Sequence, residues 1–159
     1  MLLYLQPAIC NKNYTKPLQT MKKCTVIITE DDSEDAEFMR QALQANSFGG
    51  DIEHYSNGVE LLKQLSKCKA DNALPEMIIL DLNMPLKNGL EVLREMNTDP
   101  DYKQIPVAVL TASLRKEDEI ACDTLGCKLF IRKPVRFNDY KQIASDIVSH
   151  IRSRFTYCL

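Results

Sequence analysis

The chain has 159 residues, a formal net charge of −2 at pH 7 and a charged fraction of 26%. This length suits one domain with its own core, and the balanced charge predicts neither a direct nucleic-acid partner nor an anionic membrane surface. The six cysteines include no Cys-x-x-Cys pair and are accompanied by only two histidines, so we expect free thiols in a reducing cytoplasm. No apolar run approaches the length of a membrane span.

Short apolar runs alternate with segments of helical period along the chain. The predicted strands are Thr25–Thr29, Asp51–Tyr55, Met77–Asp81, Val107–Leu110 and Cys127–Ile131. The predicted helices are Ser33–Ala45, Val59–Lys67, Leu90–Met96, Leu114–Leu125 and Asn138–Arg152. Five such units predict a parallel α/β sheet covered by helices on both faces, with right-handed crossovers. The polar second run indicates an edge strand, and the apolar faces of the first two helices include Phe38 and Val59.

The ends of the chain lack this regular pattern. Residues 1–22 show no clear period and are expected to form a loosely ordered extension, with the functional unit beginning near Met21. Residues 23–153 are predicted to form the domain, and residues 154–159 a short tail.

Charged side chains follow three of the predicted strands. Glu30 and Asp31 come after the first strand, Asp81 ends the third, and Lys133 follows the fifth. Because ligands of open parallel sheets bind at the carboxyl ends of the strands, we expect these groups to meet. Their summed charge of −2 is unfavourable unless a divalent cation joins them. The cluster therefore predicts a Mg²⁺ site, since Mg²⁺ prefers carboxylate, carbonyl and water oxygens.

An aspartate in such a setting can attack phosphorus and form an acyl phosphate. Asp81 is the candidate nucleophile, and a bridging cation would reduce its repulsion from an anionic phosphoryl donor. Asp31 is the best candidate for a second carboxylate ligand, while Glu30 could act through a metal-bound water. The backbone carbonyl of Asn83 is a further candidate ligand. We interpret Asp32 as the cap of the first helix.

Two more side chains could contact a phosphoryl group. Lys133 offers a compact positive charge, although a solvated lysine is the simpler interpretation. The following Pro134 indicates a constrained turn, and we hypothesise a cis peptide bond there. Thr111 could donate its hydroxyl hydrogen to a phosphoryl oxygen, but a threonine in a strand or at a helix cap explains it equally well.

Taken together, these residues resemble the receiver domain of bacterial response regulators. The matching motifs are Glu30-Asp31, Asp81-Leu82-Asn83-Met84-Pro85 with Gly89, Thr111-Ala112 and Lys133-Pro134. The resemblance spans residues 24 to about 152 and is strongest to stand-alone receivers, some of which serve phytochrome-type kinases. It implies a flavodoxin-like fold with five helices and strand order 2-1-3-4-5. It also implies Mg²⁺-dependent phosphoryl transfer from the phosphohistidine of a histidine kinase to Asp81.

The resemblance further implies a cytoplasmic signalling protein that catalyses only its own phosphorylation and dephosphorylation. Its partners would be a sensor histidine kinase and a downstream target or phosphotransfer protein. Many receivers carry tyrosine or another aromatic residue three residues before the lysine, and this chain has Phe130, which lacks the tyrosine hydroxyl. We expect Thr111 and Phe130 to form the switch that responds to phosphorylation.

Several alternatives stay open at this point. A relay intermediate and a direct effector have the same sequence features, and phosphorylation-linked homodimerisation is compatible with both. The rival of a different class is a receiver fold used as a binding or dimerisation module without phosphorylation. A P-loop NTPase is excluded by the missing Gly-x-x-x-x-Gly-Lys motif, and an FMN site is disfavoured by the acidic residues after the first strand.

Overall fold

A computed structural model describes residues 24–156 of the chain, with side chains described as far as residue 154. The predicted extension at residues 1–22 and residues 157–159 of the predicted tail lie outside the described residues. The four cysteines among residues 24–156 form no disulfide bond with one another. Within residues 24–156, none of the helices combines the length and the apolar composition that crossing a bilayer requires.

Five parallel strands form a single sheet with the order β2-β1-β3-β4-β5. They are β1 Thr25–Thr29, β2 Asp51–Tyr55, β3 Met77–Leu80, β4 Val107–Thr111 and β5 Leu129–Arg132. The strand order confirms the predicted flavodoxin-like fold, and β2 lies at an edge as its polar sequence indicates. β3 is the central strand, and all four of its residues are buried because helices cover both faces of the sheet.

Helices follow each of the five strands. They are α1 Ser33–Ala45, α2 Gly58–Ala70, α3 Gly89–Thr98, α4 Lys116–Thr124 and α5 Phe137–Thr156. The Asp32 carboxylate accepts hydrogen bonds from the backbone N–H groups of Glu34 and Asp35, which confirms its predicted role as a cap. At the start of α3, Asn88 and Glu91 form a reciprocal capping box. These caps explain why both helices begin where they do.

Two apolar layers enclose the sheet. Ile27 and Ile78 face the layer that includes residues of α2, α3 and α4. Ile28 and Ile79 face the opposite layer, which α1 and α5 complete. Alternate residues of one strand thus serve opposite layers, as the period of two in a strand requires.

Several predicted boundaries differ from the observed ones. α2, α3 and α5 begin one residue earlier and end two to four residues later than predicted, because their last turns carry polar residues. α4 begins at Lys116, and the exposed Leu114 belongs to the preceding loop. Cys127 belongs to the turn after α4, since its backbone N–H donates to the Cys122 carbonyl. A short 3-10 helix, Tyr102–Gln104, was not predicted.

The predictions that Phe38 and Val59 face the core are wrong. Phe38 is 39% exposed and Val59 48% exposed. The Phe38 ring instead lies beside α5, where its centroid is 5.9 Å from that of Phe137 and 5.8 Å from that of Tyr140. A helix of 3.6 residues per turn places these two positions at the margin of the apolar stripe rather than at its centre.

Two identical substitutions test this difference in burial. Val92→Ala on α3 removes a side chain with no exposed surface, and we expect the free energy of unfolding to fall by about 2 kcal/mol. Val59→Ala should change it by less than about 0.5 kcal/mol, because the side chain is already half in solvent. Urea denaturation measures both; equal losses would contradict the assigned burial.

Candidate functional site

Three site residues lie immediately beyond strand ends, where backbone hydrogen bonds fix their positions. The backbone N–H groups of Glu30, Asp81 and Lys133 each donate to a carbonyl of an adjacent strand. The accepting carbonyls belong to Tyr55 (3.0 Å), Thr29 (3.0 Å) and Thr111 (2.9 Å), respectively. The sheet ladder therefore extends one residue past these strand ends and brings the three side chains to one edge.

The Lys133 ammonium lies at the centre of the site. Its Nζ is 2.6 Å from Glu30 Oε2, 3.0 Å from Asp35 Oδ2 and 3.2 Å from Asp81 Oδ2. The side chains of Glu30 and Asp81 are each only 4% exposed. A lysine has three N–H donors, which equals the number of its carboxylate partners. The solvated-lysine interpretation of Lys133 is therefore wrong.

Three carboxylates form a cluster of potential metal ligands. One oxygen from each of Glu30, Asp31 and Asp81 lies within 4.8 Å of the other two. Asp31 is exposed, whereas the other two are buried. Three oxygen donors at this spacing, open to solvent on one side, fit a hard divalent cation that keeps some of its waters. Asn83, the other predicted ligand, is exposed two residues beyond Asp81.

One ammonium faces three carboxylates in this site, which leaves a deficit of positive charge. Burial raises the pKa of Glu30 to about 7; the hydrogen bond from Lys133 opposes this shift and the nearby Asp81 charge reinforces it. Burial alone would lower the pKa of Lys133, but hydrogen bonds to Glu30 and Asp35 raise it above its ordinary value. The ammonium thus stays charged, and it does not neutralise all the carboxylates around it.

The loop after β3 packs tightly against Asp81. The Asp81 Oδ1 atom accepts a hydrogen bond from the Leu82 backbone N–H at 2.7 Å, and Gly89 donates its N–H to the Leu82 carbonyl at 3.0 Å. A Cβ atom at Gly89 would lie 2.3 Å from the Asp81 carbonyl oxygen. Only glycine allows α3 to begin this close to the Asp81 backbone.

Thr111 ends β4 and is fully buried. Its Oγ1 accepts a hydrogen bond from the Ser113 backbone N–H at 3.2 Å, and the Ser113 hydroxyl in turn donates to the Asp118 carboxylate. α4 begins at Lys116, so the helix-cap interpretation of Thr111 is wrong and the strand interpretation is confirmed. Phe130 lies on the neighbouring strand, opposite Val109, and packs partly buried against the core.

The hypothesis of a cis bond before Pro134 is wrong. The described residues contain no cis peptide bond. A trans bond keeps the residue before a proline extended, and this suits Lys133, which directly follows β5.

Two residues of the site were missed by the sequence analysis. Asp35 contacts Lys133, and the Tyr140 hydroxyl donates to Asp35 Oδ1 at 2.9 Å. A signal for Asp35 was present, because it lies in the first turn of the helix that Asp32 caps, directly after the strand end that carries Glu30 and Asp31. No local pattern pointed to Tyr140, which lies 105 residues further along the chain.

Replacing Gly89 tests the close approach to Asp81. Gly89→Ala should lower the free energy of unfolding by roughly 2 kcal/mol or more, because a backbone segment must move to admit the methyl group. Gly49→Ala is the matched control, since no atom lies within 4 Å of its Cβ position, and it should be neutral or slightly stabilising. Chemical denaturation gives both values; a neutral Gly89→Ala would contradict the geometry.

Replacing Lys133 tests the charge deficit. Without divalent cations, Lys133→Met should lower the free energy of unfolding by about 3 kcal/mol, because it leaves Glu30 and Asp81 buried without their cation. Lys116→Met breaks an exposed ion pair with Glu119 and should cost less than about 1 kcal/mol. Urea titrations with and without Mg²⁺ measure the free energy of unfolding of both variants. Mg²⁺ should restore part of the stability lost in Lys133→Met and none of that lost in Lys116→Met. Equal losses would count against a central role for Lys133.

The model of the response regulator receiver domain family matches residues 26–145. Response regulator Rcp1 of Synechocystis sp. (strain ATCC 27184 / PCC 6803 / Kazusa) is 29% identical over 126 residues, which cover 78% of this chain and 86% of that protein.

Solved structures of related proteins share the fold. The phosphorylated cyanobacterial phytochrome response regulator RcpA aligns with a TM-score of 0.72 and 30% identity, covering 79% of this chain and 91% of that one. The Mn²⁺-bound form of Rcp1 aligns with a TM-score of 0.71 and 30% identity, covering 79% and 92%. The family match, the strand order and the cluster at the sheet edge agree: the chain belongs to the response regulator receiver domain family.

Proposed function

We propose that this chain is a single-domain response regulator in which Asp81 accepts a phosphoryl group from the phosphohistidine of a sensor histidine kinase. The observation that carries this proposal is the placement of the Asp81 carboxylate 3.2 Å from the Lys133 ammonium and within 4.8 Å of oxygens of Glu30 and Asp31. Family membership supports it, and so does the likeness to a phosphorylated receiver. We further propose that residues 23–153 form the whole receiver domain, flanked by an extension and a tail.

The carboxylates of the cluster would hold a Mg²⁺ ion. Asp31, Asp81 and the backbone carbonyl of Asn83 would be direct ligands, and Glu30 would act through a water molecule. The bound ion supplies screening of the negative charge between Asp81 and the phosphoryl donor. The Mn²⁺-bound form of Rcp1 supports divalent-cation binding by a related receiver.

The chain's own residues account for the remaining steps. An Asp81 carboxylate oxygen forms a bond to phosphorus while the phosphorus–nitrogen bond of the phosphohistidine breaks, and the electron pair stays on the imidazole. Lys133 holds a phosphoryl oxygen through charge. The Thr111 hydroxyl accepts from Ser113 and keeps its own hydrogen available to donate to a second phosphoryl oxygen. The phosphoryl group is transferred to the protein itself, so the chain would catalyse only its own phosphorylation and dephosphorylation.

The signal would leave the site through Thr111 and Phe130. In the parallel register Thr111 pairs with Arg132, so Phe130, two residues earlier, faces the same side of the sheet. Movement of Thr111 toward a phosphoryl group would open space that the Phe130 ring can enter. The altered surface would then be read in the cytoplasm by a downstream protein or a phosphotransfer protein. The likeness to RcpA favours a phytochrome-type kinase as the donor.

The test is the intact mass of the protein after incubation with acetyl phosphate, with and without Mg²⁺. We expect a gain of one phosphoryl group that requires Mg²⁺ and is absent in Asp81→Asn. Asp71→Asn, which changes an exposed carboxylate at the end of α2, is the matched control and should gain the group normally.

Two results would contradict the proposal. An equal gain in Asp81→Asn would place the acceptor at another residue. No gain in any variant would favour a phosphorylation-independent binding or dimerisation module.

A further inference from the structure

One carboxylate outside the acidic cluster of Glu30, Asp31 and Asp81 also contacts the Lys133 ammonium. Asp35 lies in the first turn of α1, and its Oδ2 atom is 3.0 Å from Lys133 Nζ. Its other oxygen, Oδ1, accepts a hydrogen bond of 2.9 Å from the hydroxyl of Tyr140 on α5. One carboxylate therefore joins the lysine at the sheet edge to the helix that packs beside α1.

We propose that Asp35, held by Tyr140, is a positioning residue that fixes the Lys133 ammonium beside Asp81 for phosphoryl transfer. This inference rests on the proposed function, because it assigns Asp35 a part in the reaction of Asp81. Asp35 meets neither the phosphoryl donor nor the acceptor oxygen in this scheme and acts through Lys133.

The partners of Lys133 explain why such an anchor is needed. A lysine side chain has several rotatable bonds, and ordering it costs conformational entropy. Of its three carboxylate partners, Asp81 is the group that reacts, so its charge and position change during transfer. Glu30 and Asp35 are the two contacts that persist. Two fixed acceptors on different elements define where the ammonium lies while Asp81 reacts.

Tyr140 provides a rigid support for Asp35. Its side chain is 1% exposed, and its ring packs against Phe38. Burial, followed by the hydrogen bond to Asp35, raises the pKa of Tyr140, so its hydroxyl remains a donor at neutral pH. A further contact holds the two helices together nearby, since the Asn46 side chain donates to the Lys141 carbonyl at 2.9 Å. The Asp35 carboxylate is thus held from the side opposite Lys133.

The test measures Mg²⁺-dependent phosphorylation by acetyl phosphate over a range of donor concentrations. Asp35→Asn should lower the saturating rate roughly three- to ten-fold and leave the half-saturating concentration within about two-fold. Tyr140→Phe keeps the buried ring and should produce a smaller loss of the same kind. The double variant should be no slower than Asp35→Asn, because Tyr140 acts through Asp35.

Glu34→Gln is the matched control. It removes the same charge from the same turn of α1, at an exposed residue that is not among the carboxylates contacting Lys133, and should leave both constants unchanged. Thermal melting of each variant separates these effects from loss of fold.

A second measurement needs no donor. Nitrogen-15 NMR of the Lys133 ammonium should show faster hydrogen exchange with solvent in Asp35→Asn and Tyr140→Phe, but not in Glu34→Gln. This signal reports where the ammonium is held, and a purely structural role for Asp35 would not change it.

Several results would overturn the inference. If Asp81 is phosphorylated normally in Asp35→Asn and the ammonium exchange is unchanged, the proposed function stands and the positioning role fails. A fall in the half-saturating concentration alone would show that Asp35 only repels the anionic donor. If the rate losses of the two single variants add up in the double variant, Tyr140 does not act through Asp35. If the unsubstituted chain takes up no phosphoryl group, the proposed function fails and this inference fails with it.

Discussion

The ion cluster around Lys133 is the constraint on which the site depends. Two of its carboxylates, Glu30 and Asp81, are almost fully buried, and burying a charge is costly unless it is paired. The parallel sheet brings the pairing cation to them from β5. One ammonium faces three carboxylates, and burial, reinforced by the nearby Asp81 charge, raises the pKa of Glu30. The remaining charge makes the edge of the sheet suited to a divalent cation and to an incoming phosphoryl group.

Much of the fold could be predicted because its elements depend on local patterns. The bounds of β1, α1 and β2 agree with the prediction. The β-branched run of β1 and the Asp32 cap of α1 are visible in the sequence. The burial of Phe38 and Val59 could not be predicted, because it depends on how the helices rotate against the sheet. The 3-10 helix Tyr102–Gln104 is only three residues long, too short to show a helical period in the sequence.

In the candidate site too, the features that depend on local sequence could be predicted, and those that depend on packing between distant elements could not. Glu30, Asp81 and Lys133 could be placed together because each follows a strand and parallel strands share one edge. The contact of Tyr140 with Asp35 joins two helices that are distant in sequence, and only packing of α5 against α1 brings it about. The peptide bond before Pro134 was misjudged for a related reason: a proline restricts the local backbone, but the surrounding fold selects the isomer.

The central claim is that Asp81 itself carries the phosphoryl group. The most direct measurement is borohydride reduction of the phosphorylated protein, which converts an aspartyl phosphate to homoserine, followed by peptide sequencing by mass spectrometry. The account predicts reduction at position 81, with Asp31 and Asp35 recovered as aspartate. Homoserine at either of those positions, or none in protein whose mass shows a phosphoryl group, would contradict it.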